Sequence, residues 1–351
     1  MKKFLLTFLK IGISVAIIAW LVVAAKNDNA FTDLSQQYHD PGFAWGLLAA
    51  ACVSCGAAVV ITLVRWYYLV RALGIGLSLK EAFRLGFLGY LFNLAPMGIV
   101  GGDLLKAVML ARQQRNRRAQ AFATVIVDRA IGLYMLFVVA SIAILLTGFF
   151  MHATAEVRSI SWATLITTAV SSLGLGALFM PSVARGKAIS YLERLRYVGR
   201  PLGHLVDALR LYRRNVPVLA ASCLMTVGVH GLFALGIYFI TLGIYQGHVQ
   251  DLTLPAEFIV SPLSAAAGVI PLALGPMEVV LDFLYANIFG LDKRQGFVVA
   301  LGYRLVTLLI AMVGVCYYLG ARREVAEVMH EAEEEQELDS ELSDETVACR
   351  P

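Results

Sequence analysis

Seven ionisable side chains stand inside stretches that are otherwise apolar: Asp103, Lys106, Asp128, Arg129, Glu278, Asp282 and Arg304. Charge placed at the centre of a bilayer costs at least about 2.5–3.5 kcal/mol per group on insertion scales, so such residues are kept for pairing or for binding. Arginine meets a phosphate or a carboxylate through two parallel hydrogen bonds, whereas lysine offers a point charge. Arg129, Arg304 and Lys106 can therefore pair with one phosphate. Asp103 and Glu278 can face an amine, or neutralise the arginines while the site is empty. Ion pairs between Asp103 and Arg129 and between Glu278 and Arg304, pinning one segment to the next, are an equally good reading of each pair. Asp128 adjoins Arg129 but points about 100° around a helix, so the two have different partners.

Two broken segments must position these charges. From Tyr90 to Leu110 an apolar run is interrupted by Pro96, Gly98, Gly101 and Gly102, with Asp103 directly after the break and Lys106 one turn on. Helix cannot continue through it, because proline removes a donor and paired glycines destabilise the turn. Breaks at membrane depth survive only where protein or a water-filled cavity covers them. The pattern recurs 175 residues later from Val269 to Leu284, with Pro271 and Gly275 in the break and Glu278 and Arg304 at the spacings of Asp103 and Arg129. QAFATVIVDR (Gln120 to Arg129) also lies over QGFVVALGYR (Gln295 to Arg304) without a gap, which argues for an internal duplication. Helices starting near Gly101 and Gly275 would aim free backbone donors and positive dipole at the midplane.

A chain that is 59% hydrophobic and 15% charged, with mean hydropathy +0.72, is a polytopic membrane protein rather than a soluble domain, where charged residues make up about 25%. Full spans are predicted at about Phe4–Ala25, Phe43–Val64, Gln120–Phe150, Ser159–Met180, Val218–Ile244 and Phe297–Leu319. Each half of a broken segment is too short for the roughly 20 residues that cross a bilayer, so each is read as a re-entrant helical hairpin. Lys and Arg concentrate on one side of this arrangement, which places both termini in the cytoplasm of a bacterial-type plasma membrane. Three full spans separate the hairpins, so the two enter from opposite faces. The expected fold is all-α, an inverted repeat over residues 1–150 and 151–323, each half built as two spans, a broken hairpin and a further span. Inverted repeats with interrupted helices meeting at the midplane are a recurrent transporter plan.

The remaining features are weaker. Residues 182–216 form a basic connection whose interleaved leucines suggest amphipathic helices on an anionic leaflet, or solvated loop helices. The tail, residues 324–351, is acidic and is expected to be briefly helical and then disordered. Cys52 and Cys55 have metal-ligand spacing, but with no second pair they read as a helix contact. His230 reads as a hydrogen-bonded helix contact before a proton relay. No cofactor motif, ATP-binding loop or nucleic-acid signal is present, and neither is a nucleophile beside a base.

At RWYYLVRALGIGLSLKEAF, FNLAPMGIVGGDLLKAVML and VIVDRAIGLYML, with GVIPLALGPMEVVL and YRLVTLL later, the chain resembles the lysylphosphatidylglycerol synthase transmembrane region family. These are the flippase-like domains of the multiple peptide resistance factor and its stand-alone relatives. Pro96, Gly101, Gly102, Asp103, Asp128 and Arg129 carry the most specific part. The resemblance implies movement of a phospholipid or lipid-linked glycan between inner-membrane leaflets, with lipid headgroups as partners and a lipid- or glycan-synthesising enzyme as a further one. Lys106 stands where arginine is frequent, and Met277 where the family often has a more polar residue. No aminoacyl-transfer domain follows, so lysyl-lipid synthesis is not expected. An intramembrane headgroup-transfer enzyme and a non-transporting membrane scaffold are the alternatives.

Overall fold

The computed structural model describes residues 2–28, 44–94, 101–114, 117–148, 154–179, 199–245, 252–270, 272, 274–291 and 294–348. Pro96, Gly98, Pro271 and most of the basic connection lie outside them. The described residues form eleven helices and no strand: α1 (Lys2–Asn27), α2 (Trp45–Ala72), α3 (Leu79–Leu94), α4 (Gly102–Gln113), α5 (Arg118–Thr147), α6 (Ala155–Phe179), α7 (Gly199–Tyr212), α8 (Val216–Tyr245), α9 (Leu254–Ala266), α10 (Pro276–Ile288) and α11 (Gln295–Ala348). A single turn of 3₁₀ helix, Ala267–Val269, follows α9.

α2, α5, α6, α8 and α11 are long and apolar enough to cross a membrane. Helix is the form in which such runs satisfy every backbone group without water. Val53, Leu146, Leu173 and Leu224 stand exposed around the outside, the reverse of a soluble protein. Between α2 and α8 the contact is close because small residues meet there: a Cβ on Gly236 would overlap Cys55 Sγ, and Ser54 Oγ donates to the Leu232 carbonyl at 2.8 Å. Cys55 thus fills a helix contact.

The broken segments are helical hairpins. α3 and α4 have 16 and 12 residues, α9 and α10 have 13 each, and at 1.5 Å per residue all fall short of the roughly 30 Å hydrocarbon thickness. The crossing of α3 and α4 needs glycine: a Cβ on Gly102 would overlap the Gly89 carbonyl and come 2.9 Å from the Asn93 amide nitrogen. Gly275 has φ +111°, open only to glycine, and packs against Ile17 of α1. α1 further buries Leu21 and Ala25 in the cluster that holds Tyr285 and Phe297. Contacts between the halves are reciprocal: α3 lies against α11, and α9 lies against α5.

Three boundaries differ from the sequence reading. α2 continues through Arg65 to Ala72 instead of ending at Val64, because Trp66, Leu69 and Val70 all have buried places to fill. α9 begins at Leu254, which puts Glu257 inside the second hairpin. α11 kinks at Ala321 and continues beyond the span end expected at Leu319. Its extension is held: Val325 and Val328 are buried with Leu85 and Leu88, and Glu324 pairs with Arg84 at 3.1 Å. In α7, within the basic connection, Val206, Ala208 and Tyr212 are buried against the bundle, and the Tyr212 hydroxyl donates to the Leu69 carbonyl at 2.9 Å.

Candidate functional site

Helices α4 and α5 bring four of the predicted charges together. Asp103, in the first turn of α4, meets Arg129 of α5 through two bonds, Nε to Oδ2 and Nη2 to Oδ1, each 2.5 Å. The pair is accessible: 59% of the Arg129 side chain and 32% of Asp103 is exposed. One residue earlier, Asp128 faces the other way and is buried. Its Oδ1 accepts from Arg65 Nε at 3.0 Å, and its Oδ2 lies 3.8 Å from Lys106 Nζ. Arg65 also donates to Thr226 Oγ1 at 2.6 Å and to the Asp128 carbonyl at 3.3 Å. Lys106 sits 4.4 Å over the Trp66 ring.

Two layers result. A buried knot of Arg65, Asp128 and Lys106 ties α2, α4, α5 and α8 together, and in front of it the Asp103–Arg129 pair faces a cavity of about 570 Å³. Three cations and two carboxylates leave this cluster one positive charge in excess. Its rim includes the exposed apolar residues Leu133 and Val269, the second of them at the tip of the other hairpin. α4 starts at Gly102 with no side-chain cap at Gly101, so its positive end adds to the potential beside Asp103. His230, also in the wall, donates from Nε2 to the Gly132 carbonyl at 3.1 Å; a carbonyl only accepts, which fixes that tautomer.

The second pair is built differently. Glu278 Oε1 accepts from Arg304 Nε at 3.0 Å and Nη2 at 2.5 Å, again 26 residues apart, but Glu278 Oε2 accepts from the Gly275 amide at 2.9 Å. Glu278 therefore caps its own helix, and Pro276 at the first helical position has no amide to offer. The α10 end is thus internally satisfied, whereas the α4 end has no side-chain cap among the described residues. Neither Glu278 nor Arg304 lines the cavity. Asp282 is a cap as well: Oδ1 accepts from the Phe297 amide at 3.0 Å and Oδ2 from Arg294 at 2.8 Å.

Residues 7–314 match the lysylphosphatidylglycerol synthase TM region. The chain belongs to that family. It is also similar to a UPF0104 membrane protein of Methanocaldococcus jannaschii, with 22% identity over 284 residues that span 76% of this chain and 82% of that protein. No solved structure matches. For a multi-pass member of the lysylphosphatidylglycerol synthase TM family, the cavity places Asp103, Lys106, Asp128 and Arg129 in one site and leaves Glu278 and Arg304 outside it.

Two residues escaped the sequence reading. Arg65, from sequence, falls at the cytoplasmic end of its span; its signal was the apolar run Trp66 to Val70 beyond it, which keeps it well inside the helix. Glu257 lies two residues beyond Pro255, between the expected loop and the second broken segment.

Proposed function

We propose that this protein moves a phospholipid or lipid-linked molecule between the leaflets of a bacterial-type plasma membrane, with both termini in the cytoplasm. One observation carries the reading: an accessible arginine, held by a carboxylate that can release it, faces a headgroup-sized cavity with excess positive charge inside an apolar helix bundle. A lipid phosphate replaces the Asp103 carboxylate on Arg129 with the same two-bond geometry, and Asp103 is freed to face a headgroup amine. The apolar rim at Leu133 and Val269 lets acyl chains stay in the bilayer while the headgroup enters sideways.

Transport fits better than headgroup chemistry. In this arrangement both oxygens of Asp103 and both of Asp128 face cations, and His230 spends one ring nitrogen on Gly132, so among the described cavity residues no base stands beside a nucleophile. A separate lipid- or glycan-synthesising enzyme supplies the cargo in this reading.

The test is leaflet exchange in proteoliposomes carrying fluorescent phosphatidylglycerol, phosphatidylethanolamine, an aminoacyl lipid or a lipid-linked glycan. Wild type exchanges at least one faster than empty liposomes, and Arg129→Ala loses about tenfold or more of that rate, the worth of a charge-assisted contact. Wild type moving none of the four overturns the proposal.

A further inference from the structure

Glu257 is 0% exposed and lies in the first turn of α9, away from the cavity charges. Its Oε1 accepts a hydrogen bond from the Tyr285 hydroxyl of α10, which in turn is 2.7 Å from Thr241 Oγ1 of α8. Its Oε2 is buried with no partner among the described residues. The groups facing it are Tyr285 and Thr241, with Tyr245 of α8 beyond, whose hydroxyl donates to the Gln295 carbonyl at 2.9 Å. Asp282, one turn from Tyr285, is occupied by Arg294 and the Phe297 amide. On α5, also packed against α9, the charged Asp128 and Arg129 belong to the cavity, which α9 reaches only at Ala265, about 12 Å further along its axis. No cation is paired with Glu257 among the described residues. An ionised carboxylate in such a place is far costlier than the neutral acid, which brings no net charge out of water.

We infer that Glu257 is a proton-binding site, loaded in this closed arrangement and emptied when α9 parts from α10, so that lipid movement is coupled to proton movement. The coupling rests on the transport reading above; the proton site does not. When the helices part, the carboxyl O–H bond breaks, the proton passes to water, and the carboxylate is hydrated where it was formerly packed. The helix itself provides the connection to the cavity. Ser261 and Ser264 continue the Glu257 face at helical spacing, and Ser264 Oγ is likewise buried without a partner. Pro262 between them leaves the Phe258 carbonyl without its helical donor, so α9 can bend between the proton site and the cavity end.

Two measurements on the full chain test this separately. Infrared difference spectra across a pH titration read the carbonyl stretch of a protonated carboxyl. Wild type carries such a band after the surface acids have ionised; it is absent from Glu257→Gln and shifted in Tyr285→Phe, which keeps the carboxyl but removes its donor. A wild-type spectrum with no band that depends on Glu257, or a band abolished by sodium at constant pH, overturns the site. The second measurement is the ratio of lipid exchange rates with and without an imposed pH gradient. That ratio departs from one in wild type and returns to one in Glu257→Gln; a ratio of one in wild type, beside an intact infrared band, overturns the coupling alone. Absence of any lipid exchange overturns the transport reading and leaves the infrared result to decide the proton site.

Discussion

Arg65 and Arg129 are chemically the same group in opposite circumstances. Arg65 is buried with three acceptors and holds Asp128, so truncating it strands a buried carboxylate beside a lysine at 3.8 Å. Arg65→Ala is expected to cost about 3–5 kcal/mol, read as a fall in thermal unfolding temperature in detergent. Arg129 is 59% exposed, and exposed pairs contribute about 1 kcal/mol or less. Arg129→Ala should therefore leave unfolding nearly unchanged while lowering lipid exchange. Equal destabilisation by both substitutions would show that the accessible pair is structural too. Glu278→Gln belongs with the structural group: it weakens a helix cap and an arginine pair together, and it should lower stability before it touches cargo affinity.

Among the elements, the first hairpin depends on one crossing and one strap. Gly101 and Gly102 are neighbours in the same break, but only the second lies in the crossing: a Cβ on Gly101 has its nearest neighbour at 3.9 Å, an ordinary contact, whereas one on Gly102 overlaps the Gly89 carbonyl. Gly101→Ala should be tolerated and Gly102→Ala should force α3 and α4 apart, visible as faster hydrogen exchange in Leu79–Leu94. The strap is the part of α11 beyond its kink. Val325 and Val328 are 1% and 0% exposed against this hairpin. A chain ending at residue 323 should lose about 3–6 kcal/mol from two buried valines, whereas one ending at residue 330 should not. Comparing the two truncations by unfolding and by exchange separates the strap from the more distal acidic helix.

At the scale of the molecule, each hairpin rests against the last helix of the opposite half, and each half carries an acid and an arginine 26 residues apart. An inverted repeat would produce this reciprocity. A cysteine placed within residues 247–253 is expected to label from outside the cell and one at residue 115 only after permeabilisation; equal labelling at both would remove the inversion. The two hairpins are not built alike. The first offers an uncapped helix start, an accessible arginine and a cavity, while the second closes its helix start with Glu278 and buries a lone carboxyl at Glu257. Cargo at one half and a proton at the other is the division of labour this asymmetry suggests.

Sequence by itself determined the class, five long apolar helices and the two broken segments, because apolar run length and helix-breaking residues act locally and a bilayer admits few alternatives. It also supplied the acid and arginine pairs, since each acid precedes its arginine by the same 26 residues. Partnership was another matter. Asp128 reaches Arg65 across 63 residues and Arg65 reaches Thr226 across 161, and no local pattern encodes which faces of α2, α5 and α8 will meet. Only the packed bundle separated Arg304 from the cavity and showed Glu278 capping its own helix. It alone revealed Glu257 as a buried acid, for burial is a property of what surrounds a residue, and those surroundings come from α8 and α10.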